Sequence, residues 1–221
     1  MCHLLRRKKV LHENPFQDIT LKQQEGKRQY LTETELGQLR QLHYKKESRE
    51  RLTLDVYLFS VYTGVRFGDL ATLRKSDIQL AGTYPNLSIR MQKTKKQIQL
   101  GLNQQALSVI SKYVKTSKNG DYVFPMLKGL TSFDPDRIKT KIGSVNAWMN
   151  ILIKTIVKDA GINKHISMHT ARHSHAVLSL DKGANIYTLS QMLGHSSVKT
   201  TELYLKLTQK KRTEFVDLWN N

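Results

Sequence analysis

Nearly all of this chain carries its apolar residues at helical spacing, and one stretch breaks that rule. Between residues 77 and 102 the period switches to two: Leu87, Ile89 and Met91 alternate with polar neighbours, then Ile98, Leu100 and Leu102 do the same, across the polar QKTKKQ at 92–97. Strict alternation of this kind marks half-buried strands. The stretch therefore reads as a β-hairpin with lysines at its tip, and DIQL at 77–80 supplies a third strand. The fold class that follows is mainly α with a small three-stranded antiparallel β-sheet.

The helices announce themselves by caps and stripes. In LTETELGQLRQL, Thr32 stands three residues before Glu35 and ahead of Leu36, Leu39 and Leu42, the pattern of a capping box opening a helix. A folded domain starts near here. RERLTLDVYLFSVYTG places Leu52, Val56 and Phe59 beside Leu54, Leu58, Val61 and Tyr62, a stripe wide enough for a buried helix, and Gly64 ends it. A second short helix restarts with Arg66, Asp69, Leu70 and Leu73. Further helices are expected over 103–114, 139–160 with Gly161 as its stop, about 170–182, 185–193, 197–208 with Ser196 or Ser197 as cap, and near 210–219, where Phe215, Val216, Leu218 and Trp219 cluster. No internal repeat of 20 to 50 residues and no low-complexity segment is visible.

Charge narrows the partners. The 36 Lys and Arg against 18 Asp and Glu give a net charge of +18, which calls for a polyanion. The basic residues are spread through helices and turns rather than gathered on one amphipathic segment, which favours nucleic acid over a membrane surface. No run of 18 apolar residues exists, the first ten residues lack the apolar core of a signal peptide, and the single cysteine, Cys2, cannot close an internal disulfide. The expected location is the cytoplasm.

Three clusters place cations and a nucleophile at element ends. In TGVRFGDL at 63–70, Arg66 follows a helix-stopping glycine and Asp69 lies one turn on, where it could fix the guanidinium fork. A plain surface Arg–Asp pair, worth ~0–1 kcal/mol, is the alternative. In SMHTARHSHAVL at 167–178, His169 and Arg172 share a helix face as i and i+3, while His173 and His175 read as packing or surface residues. A metal site is disfavoured, because no HExxH is present and an H-x3-H pair gives two ligands where zinc needs three or four. In GHSSVKTTELYLKLT at 194–208, His195 follows Gly194 and Tyr204 comes nine residues later. Two guanidinium forks, imidazoles and a phenol suit attack on a phosphodiester: the forks neutralise nonbridging oxygens while the tyrosine carries the phosphoryl group covalently.

The ordered series TGVR at 63–66, a lysine on a β-hairpin, HTAR at 169–172, GH at 194–195 and Tyr204 resembles the tyrosine recombinases, or phage integrases, over residues 14 to 208. The NPF…YLTETEL opening and the LGHSSVKTTELYLK ending are most similar to integrases of mobile elements, the conjugative transposons, of Bacteroidetes-type bacteria. The resemblance implies that Tyr204 is the nucleophile, that Arg66 and Arg172 clamp the scissile phosphate, that His169 acts as acid/base, and that His195 donates a hydrogen bond to a nonbridging oxygen. It implies that Lys93 protonates the leaving 5′ oxygen, with the adjacent Lys95 and Lys96 as alternatives on the same turn, and that Asp69 supports the site structurally. No metal, ATP or other cofactor is expected. The implied partners are double-stranded DNA attachment sites, three further copies of the chain in a homotetramer on DNA (with a monomer when free), and accessory DNA-bending factors in the bacterial nucleoid; no membrane is involved. Residues 1–24 would be the end of a truncated core-binding domain and its linker, and 25–221 the catalytic domain. The apolar segment at 210–219 would dock into a neighbouring subunit or pack in cis. A nicking-closing activity like that of type IB topoisomerases, or a non-catalytic basic DNA-binding module, are the alternative functions.

Overall fold

The computed structural model describes residues 28–116, 122–128, 130 and 134–208; the expected core-binding remnant at 1–24 and the helix near 210–219 lie outside the described residues. The first helix, α1 (Glu33–Gln41), opens as expected: the Thr32 hydroxyl accepts from Glu35 N–H while the Glu35 carboxylate accepts from Thr32 N–H. Helix α2 (Arg49–Thr63) is buried along almost its entire surface and stops at Gly64, whose φ of +70° lies in the left-handed region. A side chain there would also meet the His175 ring, with a Cβ only 2.6 Å from its Cδ2. After this turn, Arg66 caps the short α3 (Phe67–Ala71).

Three strands follow: β1 (Ile78–Gln79), β2 (Asn86–Arg90) and β3 (Gln97–Gly101), antiparallel in the order β1-β2-β3. Leu87 faces Leu100 and Ile89 faces Ile98 across the hairpin, and these four form its core face. The turn is closed by Met91 N–H donating to the Lys96 carbonyl and Lys95 N–H donating to that of Met91. The helices α4 (Gln104–Val114), α5 (Pro135–Asp159), α6 (Thr170–Asp181), α7 (Ile186–Met192) and α8 (Lys199–Leu205) complete the fold.

Two of these helices depart from their expected bounds. Helix α5 begins at Pro135 rather than 139, because Asp134 caps it and proline at the first helical position already has the φ a helix needs. Helix α8 is shorter than 197–208. Neither serine is its N-cap residue, although the Ser197 hydroxyl accepts from Lys199 N–H at 3.3 Å. Tyr204 accordingly stands near the end of its helix rather than deep inside it.

The apolar core divides in two. The larger part joins α1 to α5, the sheet and the start of α6; a smaller cluster holds Ala176, Val177, Leu180, Leu189, Leu193 and Tyr204. Helix α6 spans both, and its first turn is tied to α2 by a Tyr57–Thr170 hydroxyl pair at 3.2 Å. No helix among the described residues is long and apolar enough to cross a membrane.

Candidate active site

Arg172 is the fixed centre of the site. It sits on α6 and is only 3% exposed, its Nη1 donating to the Gly64 carbonyl at 2.8 Å and its Nη2 to the Leu193 carbonyl. Both acceptors are orphan carbonyls at helix ends, of α2 and α7, which otherwise lack an intrahelical partner. One buried guanidinium thus locks the TGVR turn to the LGH turn. Burial and the neighbouring Arg66 push its pKa down to about 10, so it stays cationic at neutral pH.

Arg66 lies half-buried with its Nη1 3.3 Å from the Met91 sulfur. Its expected partner does not pair with it. Asp69, 6% exposed, gives Oδ1 to the backbone N–H of Gln92 at 2.8 Å instead, while Oδ2 is buried without a partner. The Gln92 N–H takes the carboxylate, while the half-buried Arg66 guanidinium can still reach solvent. The Gln92 side chain adds two bonds to α3, donating to the Gly68 carbonyl and the Thr72 hydroxyl at 3.1 and 2.6 Å. Asp69 is therefore structural, but what it supports is the hairpin turn next to Lys93.

Of the three turn lysines, all exposed, Lys96 donates to the His195 carbonyl at 3.0 Å. Lys93 is free of such a bond and is close enough to act electrostatically on His169. At the other side of the turn Gly194, φ +60°, lets the LGH loop approach so closely that a Cβ would collide with the Met91 sulfur.

His195 places Nδ1 2.8 Å from the hydroxyl of Thr201. Thr201 is fully buried and its hydroxyl has no other recorded partner among the described residues, so the hydroxyl donates to Nδ1 and the imidazole carries its proton on Nε2. Burial, followed by the charges of Arg172, Arg66, Arg28 and Lys96, pushes the His195 pKa down to about 4 and keeps the ring neutral.

Tyr204 is 3% exposed, with its ring in the smaller cluster. Its hydroxyl lies 2.8 Å from Nδ1 of His173, a residue that sequence reasoning set aside as packing or surface. Position i+4 from His169 was the available signal. The His169 and His173 rings meet edge-on at 4.7 Å and the His173 and Tyr204 rings at 5.5 Å, so His169 approaches the phenol through His173. Arg28, also unforeseen, lies over the Tyr204 ring with Cζ 5.8 Å from the centroid. Burial raises the phenol pKa, against the opposing charges of Arg172, Arg28 and Arg66. His175 packs elsewhere: its Nδ1 is 2.8 Å from the Val61 carbonyl and its Nε2 is buried and unpartnered.

Arg66, Lys93, His169, Arg172, His195 and Tyr204, drawn from separate parts of the chain, thus converge, with Asp69 behind the hairpin. Among the described residues no group of three His, Cys, Asp or Glu side chains converges as a metal site would require. The arrangement offers a fixed guanidinium in Arg172, a second in Arg66 that can still reach solvent, and a phenol bonded to one of two neighbouring imidazoles.

The chain is 28% identical over 209 residues to a tyrosine recombinase of Thermosipho africanus, covering 94% of this chain and 68% of that one. It is 28% identical to tyrosine recombinase XerA of Pyrococcus furiosus, over 86% of this chain and 61% of that one. Across such curated relatives it spans about half to two-thirds of their length. Its fold matches that of XerH site-specific recombinase bound to a palindromic difH substrate in a post-cleavage complex, with a TM-score of 0.68 at 20% identity, over 92% of this chain and 59% of that one. Residues 29–211 match the phage integrase family, and the chain belongs to that family.

Proposed function

We propose that this chain is the catalytic part of a site-specific DNA recombinase that cuts and rejoins duplex DNA through a 3′-phosphotyrosyl intermediate on Tyr204. The observation that carries the reading is a Tyr204 hydroxyl held 2.8 Å from His173 Nδ1, on the same helix that carries the buried Arg172. Named relatives that are tyrosine recombinases support it.

In this reading the Arg172 and Arg66 forks neutralise the nonbridging oxygens as charge builds at phosphorus, and His195 adds a donor through Nε2–H. Tyr204 attacks, the P–O5′ bond breaks, and Lys93 supplies the proton that the departing 5′ oxygen needs. His169 stands at the phosphate as an acid/base group. A 5′-hydroxyl from a second duplex then reverses the step, so one phosphodiester replaces another. Two duplexes with two cuts each call for four protomers, hence a homotetramer on paired attachment sites, serving integration and excision of a mobile element of the Bacteroidetes conjugative-transposon kind.

A suicide duplex, nicked so that the cleaved end diffuses away, tests this. A DNA-linked peptide carrying Tyr204 is the expected product, and strand exchange on a two-site substrate separates recombination from nicking-closing. No adduct under any loading, or an adduct on Tyr187, would sink the reading.

A further inference from the structure

A tyrosine that becomes a phosphodiester must lose a proton, and its own surroundings decide where that proton goes. Two polar groups bear on the Tyr204 hydroxyl: the Arg28 guanidinium, which can only donate, and Nδ1 of His173 at 2.8 Å. Among the described residues the phenol proton has one acceptor, and it is not His169, which stands beyond His173 on the preceding helical turn. We propose that His173 is the base of the reaction: Nδ1 accepts the Tyr204 proton as the phenol oxygen attacks phosphorus, leaving His169 to the phosphate side. The inference rests on the recombinase reading above.

The step balances. The Oη–P bond forms as Oη–H breaks, the proton moves to Nδ1, and His173, already bearing a proton on Nε2, becomes imidazolium. The P–O5′ bond breaks and O5′ takes its proton from Lys93. On rejoining, the incoming 5′-hydroxyl gives its proton to Lys93, and His173 returns its own to Tyr204 as the phosphotyrosine bond breaks.

Free His173 is a poor base, since burial, His169, Arg28 and Arg172 push its pKa down to about 4. Two of those causes are cations, Arg172 of the phosphate clamp and Arg28 over the Tyr204 ring, and a bound phosphodiester offsets the field of the clamp. His173 gains basicity when the substrate arrives, and a neutral imidazole waits on the phenol until then.

The test pairs His173→Asn with Tyr204 replaced by a fluorinated tyrosine. The Asn carboxamide oxygen can hold the phenol hydrogen bond but cannot take the proton. With wild type forming the adduct, His173→Asn is expected to slow single-turnover adduct formation by about 10² or more, with thermal unfolding and DNA affinity close to wild type. Fluorination makes the phenol more acidic, so it should restore much of the rate to His173→Asn and none to Lys93→Ala. A 5′-bridging phosphorothiolate should do the reverse. A His173→Asn rate within threefold of wild type, no gain from fluorination, or rescue by the phosphorothiolate would each overturn the assignment. Absence of an adduct in wild type would instead defeat the recombinase reading itself.

Discussion

Helices α2 and α8 both end in the site, yet they are held in opposite ways. Ten of the 15 residues of α2 are buried, and the helix packs on α4, α5 and α6. Only Thr201 and Tyr204 of the seven residues of α8 are buried, and that helix rests on α6 and α7. The first delivers the Gly64 carbonyl that fixes Arg172; the second delivers the nucleophile. Phosphate donors are worth most when they need no reorganisation, which suits them to the deep core. The nucleophile, 3% exposed and 2.8 Å from His173 Nδ1, stands on the lightly held end.

The largest effect should come from the lightly held side. Tyr204→Phe keeps the ring in its cluster and removes only the oxygen, so covalent attachment to a suicide duplex should vanish while DNA affinity stays within a few fold. An adduct in this variant, located by mass spectrometry on another tyrosine, would break the comparison outright.

Next comes the hairpin, which Asp69 and Gln92 pin to α3. Lys93→Ala should lower cleavage of ordinary DNA by ~10²–10⁴, the usual range for a lost general acid, and a 5′-bridging phosphorothiolate should restore it. Lys96→Ala should be mild, because its ammonium is already engaged by the His195 carbonyl. Rescue of Lys96→Ala or Lys95→Ala instead would move the acid along the turn.

The two arginines sharpen the contrast further. Arg66→Lys and Arg172→Lys should each slow cleavage by about 10², since charge is kept and the fork is lost. Only Arg172→Lys should also destabilise the fold, by ~1–3 kcal/mol for buried carbonyls left without a donor. Chemical denaturation reads this directly, and equal stability of the two variants would show that Arg172 is not a structural bolt.

How far the sequence reached follows the same division. The capping box at Thr32 and Glu35, the glycine stop at Gly64 and the period-two hairpin were legible because each is a local signal. The motif residues were legible by order and spacing, and the structure draws them together. What escaped depended on partners distant in sequence. Arg172 is buried because two helix ends meet it from 108 and 21 residues away. Asp69 turns from Arg66 to the backbone N–H of Gln92, 23 residues on. His173 meets Tyr204 across 31 residues, and nothing local tells a packing histidine from one on a nucleophile. The Asp134-Pro135 start of α5 was a local signal that the apolar stripe overshadowed.

The smallest effect should be on stability against pH, and two of the three histidines behind it bond to residues of α8. His173, His175 and His195, on or beside α6, α7 and α8, are all held down to a pKa of about 4, chiefly by burial. Unfolded histidine titrates near 6.5. Between those values the unfolded chain binds protons that the folded chain refuses, so stability rises with pH across the window and is lost as pH falls from about 6.5 towards 4. The thermal midpoint should therefore drop through this range. His175→Asn should flatten the slope, since its buried Nε2 has no acceptor for an added proton. Hydrogen exchange locates the loss: amides of α8 should open first as the pH falls, while those of α2 hold until global unfolding. If α2 and α8 open together at every pH, the two ends of the site belong to one cooperative unit, and the nucleophile is as firmly held as the arginines it serves.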